Sequence, residues 1–442
     1  MKGVLVILDG LGDLPCKQLQ GKTPLEAAHM PNLDFLATRG EMGIMDPVKP
    51  GFVPESDQAE VSLFGNDLIN STRGQLEARG ADIKLTRGDL ALRTNFATID
   101  SYKAGNLIDR RAGRTLTTEE AIILAKAINK IELPCKFIFK PTVQHRGALV
   151  LRGGFSDNIS GNDSTYTKNN ATEATKIRLC RPEDDDDENA QYTVNVLNEF
   201  AEKVFEVLKN HPVNEERRKK GLLPANFLLM RGAGAEPPKL KFYKKWVAMA
   251  YMPLEKGFAK TSGMKVVSFE YPPLKGIDAY VNLWEGLKKA CNKAPKVLKK
   301  NRKRFDYAYI HIKETDLPGH DNKPIVKKNM LEYIDKTFFK FLRRFAPPNH
   351  IKIVVTGDHS TPCRLKAHSA DPVPVMLYNQ SIPKKEEFKI TGFLRRHKEE
   401  VKVEEEVKEG PKGAKFCERT AKRGSLGRFE GKEILRKVGF LK

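Results

Sequence analysis

The sequence predicts an α/β fold in which a mostly parallel sheet is flanked by helices and carries a smaller inserted α+β domain. The main observation is a set of apolar runs, each leading into an acidic residue, at 3–10, 305–316 and 351–359. A run of this kind is typical of a buried parallel strand that presents a polar side chain at its carboxyl end. Helical patterns such as 329–345 lie between and around these runs. The alternation places the expected site at the carboxyl ends of the strands.

The middle of the chain has a different pattern, which indicates a second domain. Residues 91–99 and 146–152 alternate like strands, and 118–129 forms a helical pattern that begins with a Thr and Glu cluster suited to a helix N-terminus. We therefore predict that residues 80–238 form an inserted domain. Residues 1–79 and 239–442 would then form a discontinuous main domain.

Three polar segments are predicted to lie at the surface. The polar stretch 156–175 is expected to be a long loop, and the acidic run 183–188 is expected to be a solvated turn. The charged stretch 384–415 is expected to be exposed as well.

Composition narrows the class of protein. With 442 residues, 40% of them hydrophobic and 30% charged, the chain has the make-up of an ordinary two-domain globular protein. It has no apolar run of membrane-spanning length, and Asp9 comes too early for a signal peptide, so we expect a cytoplasmic protein without membrane contact. The scattered cysteines, without a C-x-x-C pair, also favour a reducing cytosol.

The net charge of +21 leaves three interpretations open. It is compatible with a nucleic-acid or acidic-membrane partner, with an anionic substrate, or with a lysine-rich solvated surface. The basic residues are spread along the chain and are not interleaved with aromatic residues, which argues against a nucleic-acid partner.

The segment GDHSTP at 357–362, followed by His368, is the most informative stretch for chemistry. Asp358 and His359 leave a predicted strand together, where adjacent side chains can reach one cation. Four of the nine histidines fall within 319–369, and three of these, His320, His359 and His368, lie close to aspartates at strand ends. Carboxylates mixed with imidazoles suit manganese, zinc or magnesium.

Asp316 and His320 form a second candidate ligand pair. They are four residues apart, so one helical turn or a tight loop would bring both to one ion. On its own such a pair is more often a coincidence than a site. Its weight comes from the neighbouring pattern at 357–368.

Asp9 and Ser56 become candidate site residues only together with the other candidates. Asp9 alone is most simply an acid that caps a turn. Ser56 or Asp57 could be the N-cap of a short helix, and Asp57-x-x-Glu60 resembles a capping box. A hydroxyl at a helix N-terminus is also well placed for phosphoryl chemistry, because the free N–H groups there attract an anion.

Taken together, these candidates predict a phosphoryl-transfer site with two metal ions. Phosphoryl transfer commonly uses two ions that clamp the attacking and leaving oxygens. Three carboxylates, three imidazoles and one hydroxyl are enough for two ions. The predicted ligands are Asp9, Ser56, Asp316, His320, Asp358, His359 and His368.

Basic residues of the predicted insert are candidates for binding the substrate. Arginine matches phosphate and carboxylate groups with two parallel hydrogen bonds, so a small dianionic substrate would explain a cluster of them. The alternative is a set of surface charges or domain contacts, which is about equally plausible for any single arginine. The candidates are Arg110, Arg111, Arg114, His145, Arg146 and Arg231.

With these residues in place, the chain resembles the archaeal-type cofactor-independent (2,3-bisphosphoglycerate-independent) phosphoglycerate mutases of the alkaline phosphatase superfamily. The resemblance covers nearly the full length. It is carried by LDGLGD at 8–13, KTPLEAA at 22–28, PNLD at 31–34, Ser56–Asp57, RTNFAT at 93–98, DRRAGR at 109–114, RGAG at 231–234, DLPGHD at 316–321, GDHSTP at 357–362, HSADPVP at 368–374 and GSLGR at 424–428.

The resemblance implies an alkaline-phosphatase-like fold and a role for each candidate. One metal would be held by Asp316, His320 and His368, and the other by Asp9, Ser56, Asp358 and His359. Ser56 would take the phosphoryl group of 3-phosphoglycerate as a phosphoserine and pass it on to give 2-phosphoglycerate, in glycolysis and gluconeogenesis. The ions would be manganese or magnesium, with zinc or cobalt as alternatives, and no 2,3-bisphosphoglycerate would be needed. Lys313 could help neutralise the phosphoryl group.

Two positions depart from the family pattern, and other functions stay open. Glu55 stands where glycine is usual and adds negative charge beside an anion site, which could slow the enzyme; Ala367 replaces a more usual acid. A metal-dependent phosphomonoesterase or a phosphopentomutase of the same superfamily is the alternative. A sulfatase motif is absent at Ser56.

Overall fold

The computed structural model describes residues 1–68, 73–163, 175–380 and 415–441. In these residues thirteen strands form two separate sheets, one of eight strands and one of five. In chain order the strands are β1 (Gly3–Leu8), β2 (Glu41–Asp46), β3 (Leu90–Ile99), β4 (Leu107–Asp109), β5 (Phe137–Pro141), β6 (Arg146–Leu151), β7 (Phe227–Gly234), β8 (Trp246–Met249), β9 (Lys265–Val267), β10 (Tyr307–Ile312), β11 (Lys352–Thr356), β12 (Val373–Tyr378) and β13 (Gly427–Glu430).

Fourteen α-helices surround the sheets in the same described residues. They are α1 (Pro24–Ala27), α2 (Pro31–Ala37), α3 (Ser56–Leu63), α4 (Arg73–Gly80), α5 (Thr118–Ile128), α6 (Glu188–Lys209), α7 (Pro212–Lys219), α8 (Pro253–Thr261), α9 (Ala279–Asn301), α10 (Leu317–His320), α11 (Pro324–Ile334), α12 (Lys340–Phe345), α13 (Glu418–Ala421) and α14 (Ile434–Lys437). None of the described helices is long and apolar enough to cross a membrane.

The larger sheet is mostly parallel. Its strand order is β13-β2-β12-β11-β1-β10-β8-β9, and only β12 runs against its neighbours. The central strand β1 pairs in parallel with both β10 and β11. All six residues of β1 are buried, and they alternate between two apolar cores: Val4 and Val6 face one core, while Leu5 and Ile7 face the other. Burial on both faces explains the continuous apolar runs. The predicted α/β class with a mostly parallel sheet is confirmed.

The smaller sheet is antiparallel throughout and lies within residues 90–234 of the chain. Its central strand β3 pairs with β6 on one side and with β7 and β4 on the other. A separate apolar core joins this sheet to α5 and α6. We propose residues 80–238 as the inserted domain, since all strands of the larger sheet lie before or after that range.

Several predicted elements agree closely with the structure. The helical pattern at 118–129 is α5, which begins with a capping box in which Thr117 accepts from Glu120 N at 3.1 Å. The pattern at 329–345 belongs to a longer helical run that starts at Pro324 and contains a π-helical segment at Asp335–Phe339 between α11 and α12. The acidic run at 183–188 is largely exposed and leads into α6, whose N-cap is Asp187.

Two predictions fall wholly or partly outside the described residues. The polar loop expected at 156–175 lies outside them from 164 to 174. The charged stretch expected at 384–415 lies outside them up to residue 414.

Candidate active site

The candidate residues gather at the carboxyl edge of the larger sheet. Asp9 follows β1 directly, residues 313–316 follow β10, and Asp358 and His359 follow β11. These three strands are neighbours in the order β11-β1-β10. The sheet topology therefore brings together side chains that are more than 300 residues apart in sequence.

Three oxygens surround the His359 imidazole. Its Nε2 atom lies 3.2 Å from Ser56 Oγ, 3.2 Å from Asp9 Oδ1 and 3.4 Å from Asp358 Oδ2. All four side chains are buried. Ligands that share one ion in tetrahedral geometry at about 2.1 Å are separated by about 3.4 Å, so these spacings suit a single metal ion.

A hydroxyl network sets the orientation of His359. Thr361 Oγ1 donates to Asp316 Oδ1 at 2.7 Å and lies 3.0 Å from His359 Nδ1. Because the Thr361 proton is used toward Asp316, its oxygen accepts from Nδ1–H, and the Nε2 lone pair is left to face Ser56 and Asp9. A histidine that ligates a metal commonly has its other nitrogen fixed in this way.

The electrostatic field at this point favours a cation. Burial lowers the pKa of His359, but Asp358 and Asp9 raise it more strongly, to about 9. Burial and the Asp9 carboxylate raise the pKa of Asp358 to about 6. Two carboxylates held together away from water repel each other, and a bound cation relieves that repulsion.

Asp316, His320 and His368 form a second group. Asp316 Oδ2 lies 3.3 Å from His320 Nε2, and Oδ1 lies 3.8 Å from His368 Nε2. The Nδ1 atoms of both histidines are held by backbone carbonyls, that of Lys366 at 3.1 Å for His320 and that of Pro54 at 2.9 Å for His368. The His368 ring stacks on His359 with centroids 3.8 Å apart, so the two groups are adjacent.

Both groups fit divalent cations. Each has three side chains whose ligand atoms all lie within 4.8 Å of one another. Asp9 Oδ1 and Asp358 Oδ2 accept no hydrogen bond from any described residue, although both are buried. Unpaired buried carboxylate oxygens are costly unless a cation compensates them. The donor set of carboxylate, imidazole and hydroxyl suits manganese, magnesium or zinc.

The local structure at Ser56 corrects one sequence interpretation. Neither Ser56 nor Asp57 caps a helix: Ser56 is the first residue of α3, and Glu55 is the N-cap. The side chain of Gln58, and not that of Glu60, accepts the Glu55 backbone amide at 2.9 Å. Ser56 Oγ therefore lies at the positive end of an eight-residue helix, next to the possible metal ligands Asp9, Asp358 and His359.

The Glu55 carboxylate is paired with an arginine. It accepts from Arg73 Nη1 at 2.6 Å, and the same nitrogen lies 3.1 Å from Asp57. Burial raises the pKa of Glu55, but Arg73, His368 and Arg231 lower it more strongly, so the net pKa lies below the ordinary value. The negative charge of Glu55 beside the expected anion site is therefore compensated by Arg73.

Four arginines lie within electrostatic reach of His145, which directly precedes β6. Burial and the charges of Arg146, Arg111, Arg93 and Arg114 all hold the pKa of His145 well below its usual range. Arg111 also acts on the pKa of His320, so the cluster reaches the second ligand group. The structure thus brings four of the predicted basic residues, Arg111, Arg114, His145 and Arg146, to one place.

The remaining predicted basic residues have their own surroundings. Arg110 donates to Asp163 at 2.6 Å. Arg231 acts on the pKa values of Glu55 and Arg93. Lys313 lies between Asp9 and Glu255 at the first ligand group.

Sequence reasoning missed several residues of this region. Arg93 is the clearest: it lies in the middle of β3, is 8% exposed, and has a Glu77 carboxylate at 3.9 Å. Burial and the neighbouring charges of Arg73 and Arg231 lower the pKa of Arg93 to about 9 although Glu77 raises it. The signal was a charged residue inside a predicted strand. His311, a titratable residue inside β10, gave the same signal. No sequence pattern around Glu255 indicated a functional role.

Comparisons with known proteins show which family this chain resembles. The family model described as 2,3-bisphosphoglycerate-independent phosphoglycerate mutase matches residues 37–214. A relative with that name from Pyrococcus furiosus is 41% identical and covers 98% of this chain and 95% of its own. The chain belongs to this family. A second relative of the same name, from Thermococcus kodakarensis, is 39% identical over 98% of the chain and 95% of its own length. The predictions of the family and of an enzyme of this class are confirmed.

Two solved structures show the same fold. A protein from Pyrococcus horikoshii is 30% identical, with a TM-score of 0.70 over 100% of this chain and 98% of that chain. A cofactor-independent phosphoglycerate mutase from Thermoplasma acidophilum is 29% identical, with a TM-score of 0.55 over 100% of both chains.

Proposed function

We propose that this enzyme interconverts 3-phosphoglycerate and 2-phosphoglycerate, in glycolysis and gluconeogenesis, through a phosphoserine at Ser56. The names of relatives that match over nearly the whole chain support the reaction. The observation that carries the mechanism is the position of Ser56 Oγ, 3.2 Å from His359 Nε2 at the start of α3 and beside unpaired carboxylate oxygens.

Two divalent ions, manganese or magnesium with zinc or cobalt as alternatives, are part of the proposal. Asp9, Ser56, Asp358 and His359 would hold one ion, and Asp316, His320 and His368 would hold the other. Such ions supply positive charge that lowers the pKa of a serine hydroxyl and neutralises phosphoryl oxygens. No added 2,3-bisphosphoglycerate would be required.

Ser56 is placed to act as the nucleophile. Its hydroxyl gives up its proton as the oxygen attacks phosphorus, the bond between phosphorus and the substrate oxygen breaks, and the departing glycerate oxygen takes up a proton while the phosphoryl group stays on Ser56. After glycerate turns in the site, its other hydroxyl attacks the phosphoserine and the Ser56–phosphorus bond breaks. The N-terminus of α3 favours the anion in both steps, because its first backbone N–H groups and the helix dipole are positive there.

The basic residues of the smaller sheet would hold glycerate during this turn. We assign Arg110, Arg111, Arg114, His145, Arg146 and Arg231 to this task, together with Lys313 on the phosphoryl side. Support comes from the charges of Arg111, Arg114 and Arg146, which all lower the pKa of His145. The charge of Arg111 also acts to lower the pKa of His320, so this arginine lies close to the second ligand group. Arginines bind anionic oxygens through two parallel hydrogen bonds, and a site closed by the inserted domain would keep water from the phosphoserine.

We also propose a cytoplasmic location. All six cysteines are free thiols, which suits a reducing compartment.

The test is an assay that couples 2-phosphoglycerate formation to enolase, with manganese or magnesium and without 2,3-bisphosphoglycerate. We expect metal-dependent isomerisation by the wild type and none by Ser56→Ala. Ser62→Ala is the matched control, since Ser62 is a buried serine of the same helix with no place in the ligand groups. It should retain activity.

Two results would contradict the proposal. Isomerisation that survives Ser56→Ala would exclude the phosphoserine mechanism. Release of inorganic phosphate without isomerisation would instead assign the chain as a phosphomonoesterase, because water would then reach the phosphoserine.

A further inference from the structure

A third group of buried ligand-type side chains lies beside the two groups described above. Glu60 of α3, Glu255 of α8 and His311 of β10 offer ligand atoms that all lie within 4.8 Å of one another. Each residue is at most 1% exposed. His311 Nε2 lies 3.7 Å from Asp358 Oδ2, so the group adjoins the Ser56 cluster.

The third group contains unpaired polar atoms. Glu60 Oε2, Glu255 Oε2 and His311 Nε2 have no hydrogen-bond partner among the described residues. The other ring nitrogen, His311 Nδ1, lies 3.0 Å from Glu60 Oε1 and 2.7 Å from the Tyr309 hydroxyl. Three acceptors left unpaired in one buried place are costly, and their arrangement is that of a cation site.

A cation already lies at this place, and it belongs to the chain. The Lys313 ammonium contacts Asp9 and is 2.8 Å from Glu255 Oε1. The backbone holds it there, since Lys313 N donates to the Tyr251 hydroxyl at 2.9 Å, four residues before Glu255. A buried ammonium with two carboxylates supplies the positive charge that a metal ion would otherwise bring.

We propose that Glu60, Glu255 and His311, together with Asp9 Oδ2, form a third cation site. The cation that occupies this site is the side-chain ammonium of Lys313. Removing the ammonium leaves three carboxylates and one imidazole around a buried space. That donor set suits a divalent ion such as Mn²⁺. Lys313 thus keeps a metal ion out of this site, while the two neighbouring groups take metal.

The experiment measures bound metal. Wild type, Lys313→Ala and Lys313→Ala/Glu255→Gln are each stripped with a chelator, equilibrated by dialysis with Mn²⁺ and analysed for manganese per chain by atomic emission. We expect Lys313→Ala to bind one ion more than the wild type, and the double variant to return to the wild-type number. The readout is a difference between variants, so it does not depend on the proposed mutase activity or on the wild-type count.

A second variant, in which one positive and one negative charge are removed together, is the control for folding. Lys313→Met/Glu255→Gln removes the ammonium together with one carboxylate, and it should fold without an extra ion. Because Lys313→Ala strands buried carboxylates, we expect Mn²⁺ to raise its melting temperature more than that of the wild type.

Three results would overturn the proposal. The first is an equal manganese count in Lys313→Ala and the wild type. The second is an extra ion that persists when Glu255 is also changed to Gln. The third is Lys313→Ala that stays unfolded in Mn²⁺ while Lys313→Met/Glu255→Gln folds, because a working cation site would be rescued by the ion.

Discussion

Arg114 and Asp321 form an ion pair that joins the smaller sheet to the ligand-bearing edge of the larger one. Arg114 Nη1 lies 2.8 Å from Oδ1 and 2.7 Å from Oδ2 of Asp321, the residue that follows His320. The Tyr280 hydroxyl donates to the same carboxylate at 2.8 Å. The contact fixes the position of one of the proposed substrate arginines relative to the second ligand group.

This pair predicts coupled effects on stability. We expect Arg114→Ala and Asp321→Asn each to lower the free energy of unfolding by about 0.5–1 kcal/mol, because the two side chains are 31% and 20% exposed and their attraction is partly screened by solvent. The double variant should be little less stable than either single variant, as a double-mutant cycle from denaturant unfolding would show. Strictly additive losses would mean that the two side chains do not interact in solution.

The Glu55–Arg73 contact predicts that the unusual glutamate does not slow the enzyme by itself. Arg73 compensates both Glu55 and Asp57 beside Ser56. We expect Glu55→Gly to change kcat less than about twofold. Arg73→Met should lower kcat by about tenfold or more, equivalent to about 1.4 kcal/mol in the barrier, because two uncompensated carboxylates would then repel the phosphoryl group.

A combined variant is the control for this explanation. Arg73→Met in the Glu55→Gly background leaves only Asp57 unpaired, so its loss of kcat should be smaller than that of Arg73→Met alone. Steady-state kinetics of the four proteins measure this. Equal losses in both backgrounds would show that Arg73 acts on the substrate and not on Glu55.

Removing metal should destabilise the fold. Without metal ions, Asp9 and Asp358 repel each other, and burial together with Asp9 already raises the pKa of Asp358 to about 6. We expect chelation to lower the melting temperature, and Mn²⁺ at about one hundred times its dissociation constant to restore about 2.7 kcal/mol per site. Differential scanning calorimetry with and without EDTA tests this. A melting temperature that is indifferent to chelation would argue against both ligand groups.

The sequence indicated Asp9, Asp316 and Asp358 because each comes shortly after an apolar strand. Asp9 and Asp358 could be placed at one sheet edge from strand patterns alone, since carboxyl ends of parallel strands meet. Glu55 as the N-cap was not foreseen, because the spacing of Asp57 and Glu60 also fits a capping box. Glu255 could not be found at all: its importance comes from packing against Lys313, which is 58 residues away in sequence. Such contacts depend on how helices pack on the sheet, and single-sequence patterns do not encode that.

Lys327 links the loops that carry the first ligand group. Its side chain is fully buried, and it donates to Asp13 Oδ2 at 2.8 Å and to the carbonyls of Gly12 and Thr361 at 3.3 and 3.1 Å. Asp13 Oδ1 in turn accepts from Cys363 N at 3.0 Å. The ammonium therefore ties the loop after Asp9 to the loop after His359.

Lys327→Met should be strongly destabilising, because it leaves the Asp13 carboxylate buried without its cation. Breaking a buried ion pair by removing one partner costs about 3–5 kcal/mol. Lys328→Met is the matched control: the adjacent lysine is 27% exposed and forms an i,i+4 pair with Glu332, so its loss should cost about 0.3–0.5 kcal/mol. Denaturant unfolding of both variants gives the comparison. Because the loops also position Asp9 and His359, Lys327→Met should bind Mn²⁺ more weakly than Lys328→Met, and equal stability and affinity in the two variants would contradict this structural role.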